Sequence, residues 1–166
     1  MINPRNKKGF TLIEVIIYIA LFSLLIGTAF ITTHQIIDGS GKLSVKNTTQ
    51  EEGIFVLRKI NYALTGISTI TTPSTGNLNS NNLNITKYDA NQINIRLNGT
   101  KIEMKENVGP NTYLPLTTDN VTVKASSLNF AYIAPIDSSP AGITASFLIV
   151  KDGKDYPFSI TKYIRK

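Results

Sequence analysis

The chain is 166 residues long and carries a formal net charge of +6, from 17 Lys and Arg against 11 Asp and Glu; this length supports one domain with a buried core plus an appendage, not comfortably two domains. The absence of cysteine excludes disulfide scaffolds, thiolate zinc sites and cysteine nucleophiles, and the single histidine, His34, excludes any site that needs two imidazoles. Arg5, Lys7 and Lys8 crowd the first eight residues, and without them 14 basic side chains face 11 acidic ones, too small and dispersed an excess for a basic nucleic-acid face.

A mean hydropathy close to zero hides a strong partition. From Gly9 to Ile37 the only formally charged side chain is Glu14, and Phe10 to Ile31 alone is 22 residues. As a helix rising ~1.5 Å per residue that stretch is about 33 Å long, which matches a hydrocarbon core of roughly 30 Å. Arg5, Lys7 and Lys8 precede it and the next positives are Lys42 and Lys46, so the charge rule predicts a cytoplasmic N-terminus and an extracytoplasmic chain beyond about residue 34. A cleavable secretory signal fits poorly. The apolar run exceeds the roughly 7–15 residues of such signals, no A-x-A tripeptide follows it, and Gly27-Thr28-Ala29-Phe30 is a poor substitute. An uncleaved signal anchor accounts for the length but not for Glu14. A carboxylate in an apolar span costs about 2.5–3.5 kcal/mol near the helix centre and less near its edge, whereas the dipole at a helix N-terminus returns only about 0.3–1 kcal/mol. Such a residue calls for a partner.

The run Lys8-Gly9-Phe10-Thr11-Leu12-Ile13-Glu14-Val15, continued by Ile16-Ile17-Tyr18-Ile19-Ala20-Leu21-Phe22, resembles the N-terminal processing signature of type IV pilins and type II secretion pseudopilins. The short basic leader, the glycine, the phenylalanine and the glutamate four residues after it all agree. The resemblance implies that residues 1–9 are a leader, and that a membrane-embedded prepilin peptidase cuts between Gly9 and Phe10 on the cytoplasmic side. It implies that the same enzyme N-methylates Phe10, and that Glu14 pairs with the terminal amine of a neighbouring subunit, fixing axial register in a fibre. The physical logic stands beside it. Glycine before the scissile bond offers no side chain, so an extended backbone can enter a narrow cleft. Cleavage creates an α-ammonium on Phe10, costly to bury unpaired, and Glu14 lies one turn away, about 6 Å along the axis. That carboxylate can neutralise the ammonium of its own chain or of a staggered neighbour.

No proline intervenes between Pro4 and Pro73, which permits a very long helix, with Asp38-Gly39-Ser40-Gly41 as the best interruption. Leu57, Ile60, Leu64 and Ile67 recur at spacings of three, four and three while Glu51, Glu52, Arg58 and Lys59 are polar, predicting an amphipathic helix over 34–70 against a soluble partner. The resemblance implies the same arrangement, with residues 10–33 embedded in the membrane or packed in a fibre. Many type IV pilins carry a kinking proline in that first half; its absence leans toward a pseudopilin-like helix. Residues 73–82, PSTGNLNSNN, read as a loop. Ile93, Ile95 and Leu97 then alternate with polar neighbours, Asn98-Gly99 turns, and Ile102 and Met104 alternate in their turn, a strong hairpin signal. A loop from Glu106 to Asn120 holds Pro110 and Pro115, and further strands are predicted at 121–125, 128–133, 143–150 and 156–163, the last two joined through Lys151-Asp152-Gly153-Lys154. The expected class is α+β, a long N-terminal helix packed on a single antiparallel sheet formed by 71–166, pilin-like by the resemblance.

Nothing in the sequence assembles into a catalytic constellation. His34 falls where the helix leaves the membrane and has no partner base. Asp152 and Asp155 flank a turn, and two carboxylates fall short of the six to eight oxygen ligands of a calcium site. Lys162, Arg165 and Lys166 make a small basic tail that suits either a DNA contact or a terminus kept soluble by charge. The N-x-[ST] matches at Asn47, Asn84, Asn98 and Asn120 are expected of a chain this rich in Asn, Ser and Thr, and do not indicate glycosylation.

The sequence therefore reads as a prepilin-like structural subunit, not an enzyme, with no cofactor or metal. The expected partners are a prepilin peptidase, other pilins or pseudopilins, an inner-membrane assembly platform and the membrane itself, and no nucleic acid. The chain is expected in the bacterial inner membrane as a single pass with a cytoplasmic N-terminus, then in an extracytoplasmic fibre, either a type IV pilus or a secretion or competence pseudopilus. The run Ile17–Phe22 and a helix followed by many short strands are most similar to a minor, J-type or W-type, pseudopilin, subunits thought to prime or cap a fibre. The alternative from another class is a bitopic, signal-anchored protein whose β-rich extracytoplasmic domain binds a ligand or cell-wall component.

Overall fold

The computed structural model describes residues 9–74, 78–109, 111–136 and 139–164. The leader charges Arg5, Lys7 and Lys8, the loop proline Pro110 and the tail residues Arg165 and Lys166 lie outside the described residues. Among the described residues one helix, α1, runs from Leu12 to Ala63. The strands are β1 Ile67–Thr72, β2 Asn79–Ser80, β3 Asn82–Lys87, β4 Gln92–Asn98, β5 Lys101–Glu106, β6 Leu114–Pro115, β7 Thr122–Val123, β8 Asn129–Ile133, β9 Gly142–Lys151 and β10 Lys154–Tyr163. The chain divides into two compact units at Ser44 and Val45, and α1 contributes to both.

In the first unit α1 is continuous, including Asp38-Gly39-Ser40-Gly41, where the sequence predicts a break. Each glycine costs a helix about 1 kcal/mol but keeps its N–H, so glycine weakens the ladder without interrupting it as a proline would. Every large apolar side chain from Phe10 to Ile37 is exposed. The threonines look after themselves: Thr28 Oγ1 donates to the Leu25 carbonyl, Thr32 to Thr28 and Thr33 to Ala29, each at 2.9 Å.

In the second unit the buried face of α1 is Thr49, Gly53, Val56, Ile60 and Ala63, at helical steps of four and three. The predicted stripe is displaced from this line. Leu57 is half-buried beside it, Leu64 lies just past the helix end, and Ile67 opens β1. The helix therefore stops at Ala63 rather than running to 70. Gly66, at φ 72, takes the left-handed conformation that turns the chain, and Thr65 Oγ1 donates to the Asn61 carbonyl at 2.7 Å. Leu64 and Ile67 still point into the core, so their spacing mimics one more helical turn.

The strands form two antiparallel sheets, not one. The first has the order β1-β3-β4-β5-β6; the second has the order β10-β9-β8-β2, with β7 also paired to β9. Alternating apolar residues mark strands but do not choose their neighbours. Here β2, inside the segment read as a loop, pairs with β8 (Asn79↔Ala131, Ser80↔Phe130) and so joins the second sheet. The β4–β5 hairpin pairs Asn98 with Lys101. Its two turn residues are therefore Gly99 and Thr100, one position later than predicted, with Gly99 at φ 59 supplying the positive dihedral. In the β9–β10 hairpin Asp152 and Gly153 both take positive φ, 50° and 72°, as a type I′ turn requires.

The core is one cluster. Val56, Ile60 and Ala63 of α1 meet Leu83, Ile85, Ile93, Ile95, Ile102 and Met104 of the first sheet, and Phe130, Ile143, Ala145, Phe147 and Ile149 of the second. Gly53 lets α1 and β10 approach closely: a Cβ there would lie 2.2 Å from the Phe158 ring, which in turn stacks on Phe147 with centroids 5.3 Å apart. Thr118, after β6, is tied to the helix through Glu52, whose carboxylate accepts from the Thr118 hydroxyl at 2.6 Å and its backbone N–H at 3.2 Å. The result is an α+β, pilin-like architecture of one long N-terminal helix packed against antiparallel sheets.

Candidate functional site

The N-terminal end of α1 carries the residues singled out by the sequence. Gly9 and Phe10 precede the helix. Thr11 is its N-cap. The Glu14 N–H approaches Thr11 Oγ1 at a long 3.4 Å, and the Thr11 carbonyl accepts from Glu14 at 3.1 Å and from Val15 at 3.2 Å. The Thr-x-x-Glu spacing is that of a capping box, a start signal legible in the sequence and not used there. The Glu14 side chain turns toward the following turn of helix, where its Oε1 accepts from the Tyr18 hydroxyl at 3.1 Å. Phe10 sets its ring edge-on against Tyr18, with centroids 6.4 Å apart and planes at 78°. Glu14 is half-buried by these contacts, while the apolar side chains around it stay exposed.

Gly9 has no steric reason in the fold. A Cβ there meets nothing within 4 Å. Gly53, by contrast, is imposed by packing, and sequence reading passes over it because a glycine inside a helical pattern registers only as a penalty.

Asp155 pairs with Lys124 at 2.5 Å and Asp152 occupies a tight turn; among the described residues no group of three or more His, Cys, Asp or Glu could hold a metal ion. His34 is exposed on α1. Lys162 lies in β10. Asp119 pairs with Lys101, and the hydrogen bond and charge of that ammonium hold its carboxyl below the usual aspartate range.

Among the described residues α1 is the helix long and apolar enough to cross a membrane. A family model described as a prokaryotic N-terminal methylation motif matches residues 4–30. The matched stretch contains Gly9, Phe10, Glu14 and Tyr18. No curated protein and no solved structure matches the chain. The chain thus carries a prepilin-type methylation motif on an apolar helix suited to anchoring a pilin in a membrane, and the motif supports the type IV pilin and pseudopilin family.

Proposed function

We propose that the chain is a prepilin-like structural subunit of the minor, J-type or W-type, pseudopilin kind. It is made with residues 1–9 as a leader and inserted in the bacterial inner membrane through residues 10–33, its N-terminus cytoplasmic. A prepilin peptidase trims it between Gly9 and Phe10 and methylates the Phe10 amine. An inner-membrane assembly platform then passes it into a type IV pilus or a secretion or competence pseudopilus, where its helix packs on those of other pilins. Glu14 pairs there with the Phe10 amine of a neighbour and sets the stagger.

The observation that carries this reading is an exposed apolar helix with one carboxylate in its first turn, inside a methylation motif. A contiguous apolar surface of this extent requires lipid or other helices to cover it. The glycine at position 9, for which the fold has no need, fits a backbone that must enter a protease cleft. The test is the mass of the N-terminal peptide of the chain extracted from its host's membranes. The proposal predicts a chain beginning at Phe10 with one added methyl group. A chain still beginning at Met1 beside an active peptidase contradicts it, and favours a bitopic anchor for a β-rich binding domain.

A further inference from the structure

We infer that Tyr18 is a positioning residue for Glu14: its phenol holds one carboxylate oxygen so that the other stays presented to the amine of an assembling neighbour. The inference rests on the proposed function and adds a residue to it. Three observations on α1 support it. First, Thr28, Thr32 and Thr33 each donate to a carbonyl of their own helix, so they need nothing further when lipid surrounds them. A tyrosine hydroxyl stands too far from its own backbone to do the same, so within its own helix its acceptor is a side chain. For Tyr18 that acceptor is Glu14 Oε1, at 3.1 Å. Second, the two residues are four apart, hence neighbours on one helix face. A glutamate left alone spreads over many rotamers, and one bond to a rigid phenol removes much of that freedom before assembly. A carboxylate offers about four lone-pair sites on two oxygens, so the bond to Tyr18 leaves Oε2 available. Third, the edge-on contact between the Phe10 and Tyr18 rings places the residue whose nitrogen becomes the new terminus against the same tyrosine. Phe10, Glu14 and Tyr18 form one unit.

The test uses the full chain in a host with the peptidase and the assembly machinery. Tyr18→Phe keeps the ring and removes only the hydroxyl. The trimmed N-terminus and the amount of chain in sheared filaments, per trimmed chain, are measured for wild type, Tyr18→Phe, Glu14→Ala and the double variant. Tyr18→Phe should be trimmed normally, and its incorporation should fall by about three- to tenfold, the range expected for one side-chain hydrogen bond in a membrane. In the Glu14→Ala background it should cause no further fall, because Tyr18 acts through the carboxylate. Unchanged or increased incorporation of Tyr18→Phe overturns the inference, as does a loss that persists without Glu14, which would mark the tyrosine as a packing residue only. The wild-type arm separates the two claims. A wild-type chain that keeps Met1 overturns the proposed function, and this inference with it, whereas a trimmed, incorporated wild type with an indifferent Tyr18→Phe overturns the inference alone.

Discussion

Glu14 is the residue on which the account turns, because the packing of the core has no use for a carboxylate at that place. It neither packs in the core nor bridges strands; its hydrogen-bonding partners are the N-cap Thr11, through its N–H, and Tyr18. On the assembly reading its removal leaves the neighbour's amine buried without a counter-charge, a loss of about 3–5 kcal/mol. Glu14→Ala is therefore expected to insert and be trimmed as usual but to enter filaments about a hundredfold less or worse, measured by quantifying the chain in sheared fibres. Normal entry would refute its role. Gly9 makes the complementary prediction. Since a Cβ there meets nothing within 4 Å, Gly9→Leu should leave the domain intact while slowing trimming about tenfold or more, equivalent to about 1.4 kcal/mol in the barrier. Gel mobility of the pulse-labelled chain reads this directly, and prompt trimming would contradict the cleft argument.

At the scale of elements, α1 serves two environments with one regular backbone. Its second part is fastened to the sheets through the close approach at Gly53, where Gly53→Ala places a methyl group in the path of the Phe158 ring. Overpacking of this kind costs about 1–3 kcal/mol, against roughly 1 kcal/mol gained in helix propensity. The net expectation is a chain less stable by up to about 2 kcal/mol, read as a lower Tm in detergent, with partial recovery when Phe158→Leu is added. A rise in Tm would mean that the ring moves aside freely. The same region marks the limit of what the sequence reveals. Leu57, Ile60, Leu64 and Ile67 repeat as a helix does, yet the helix ends at Ala63 because Gly66 turns the chain. Periodicity records which residues face the core, not the backbone that carries them there. The hairpin of β4 and β5 was legible because alternation and turn chemistry are local, and even so its turn lies one residue later. The pairing of β2 with β8 joins residues some fifty positions apart, a choice made by the assembled core and invisible in any window. At the N-terminus, the methylation motif matched over residues 4–30 was legible through a resemblance, and the hydrogen bond from Tyr18 to Glu14 was not anticipated, although a hydroxyl four residues after a lone carboxylate is itself a readable pair.

For the molecule as a whole, the ion pair between Asp119 and Lys101 gives the folded unit a pH signature. The Asp119 carboxyl is held low by the hydrogen bond and charge of Lys101. A lowered value means that this pair's contribution is present above the ordinary aspartate range and is lost as pH falls through the depressed value. Because Asp119 is fully exposed, the effect is small. The Tm difference between wild type and Asp119→Asn should be slight and constant near neutrality and vanish in acid; a difference that grows in acid would contradict the sign. What the molecule needs from outside is cover for its apolar helix, whose large apolar side chains from Phe10 to Ile37 are all exposed. The most direct measurement places a photoreactive phenylalanine analogue at Phe22 in the full chain, irradiates the host and identifies what it captures in the extracellular filament fraction. The account predicts covalent adducts with the N-terminal helices of other pilins, lost in a Glu14→Ala chain. A chain found only in the membrane fraction, capturing lipid and no pilin, would contradict it.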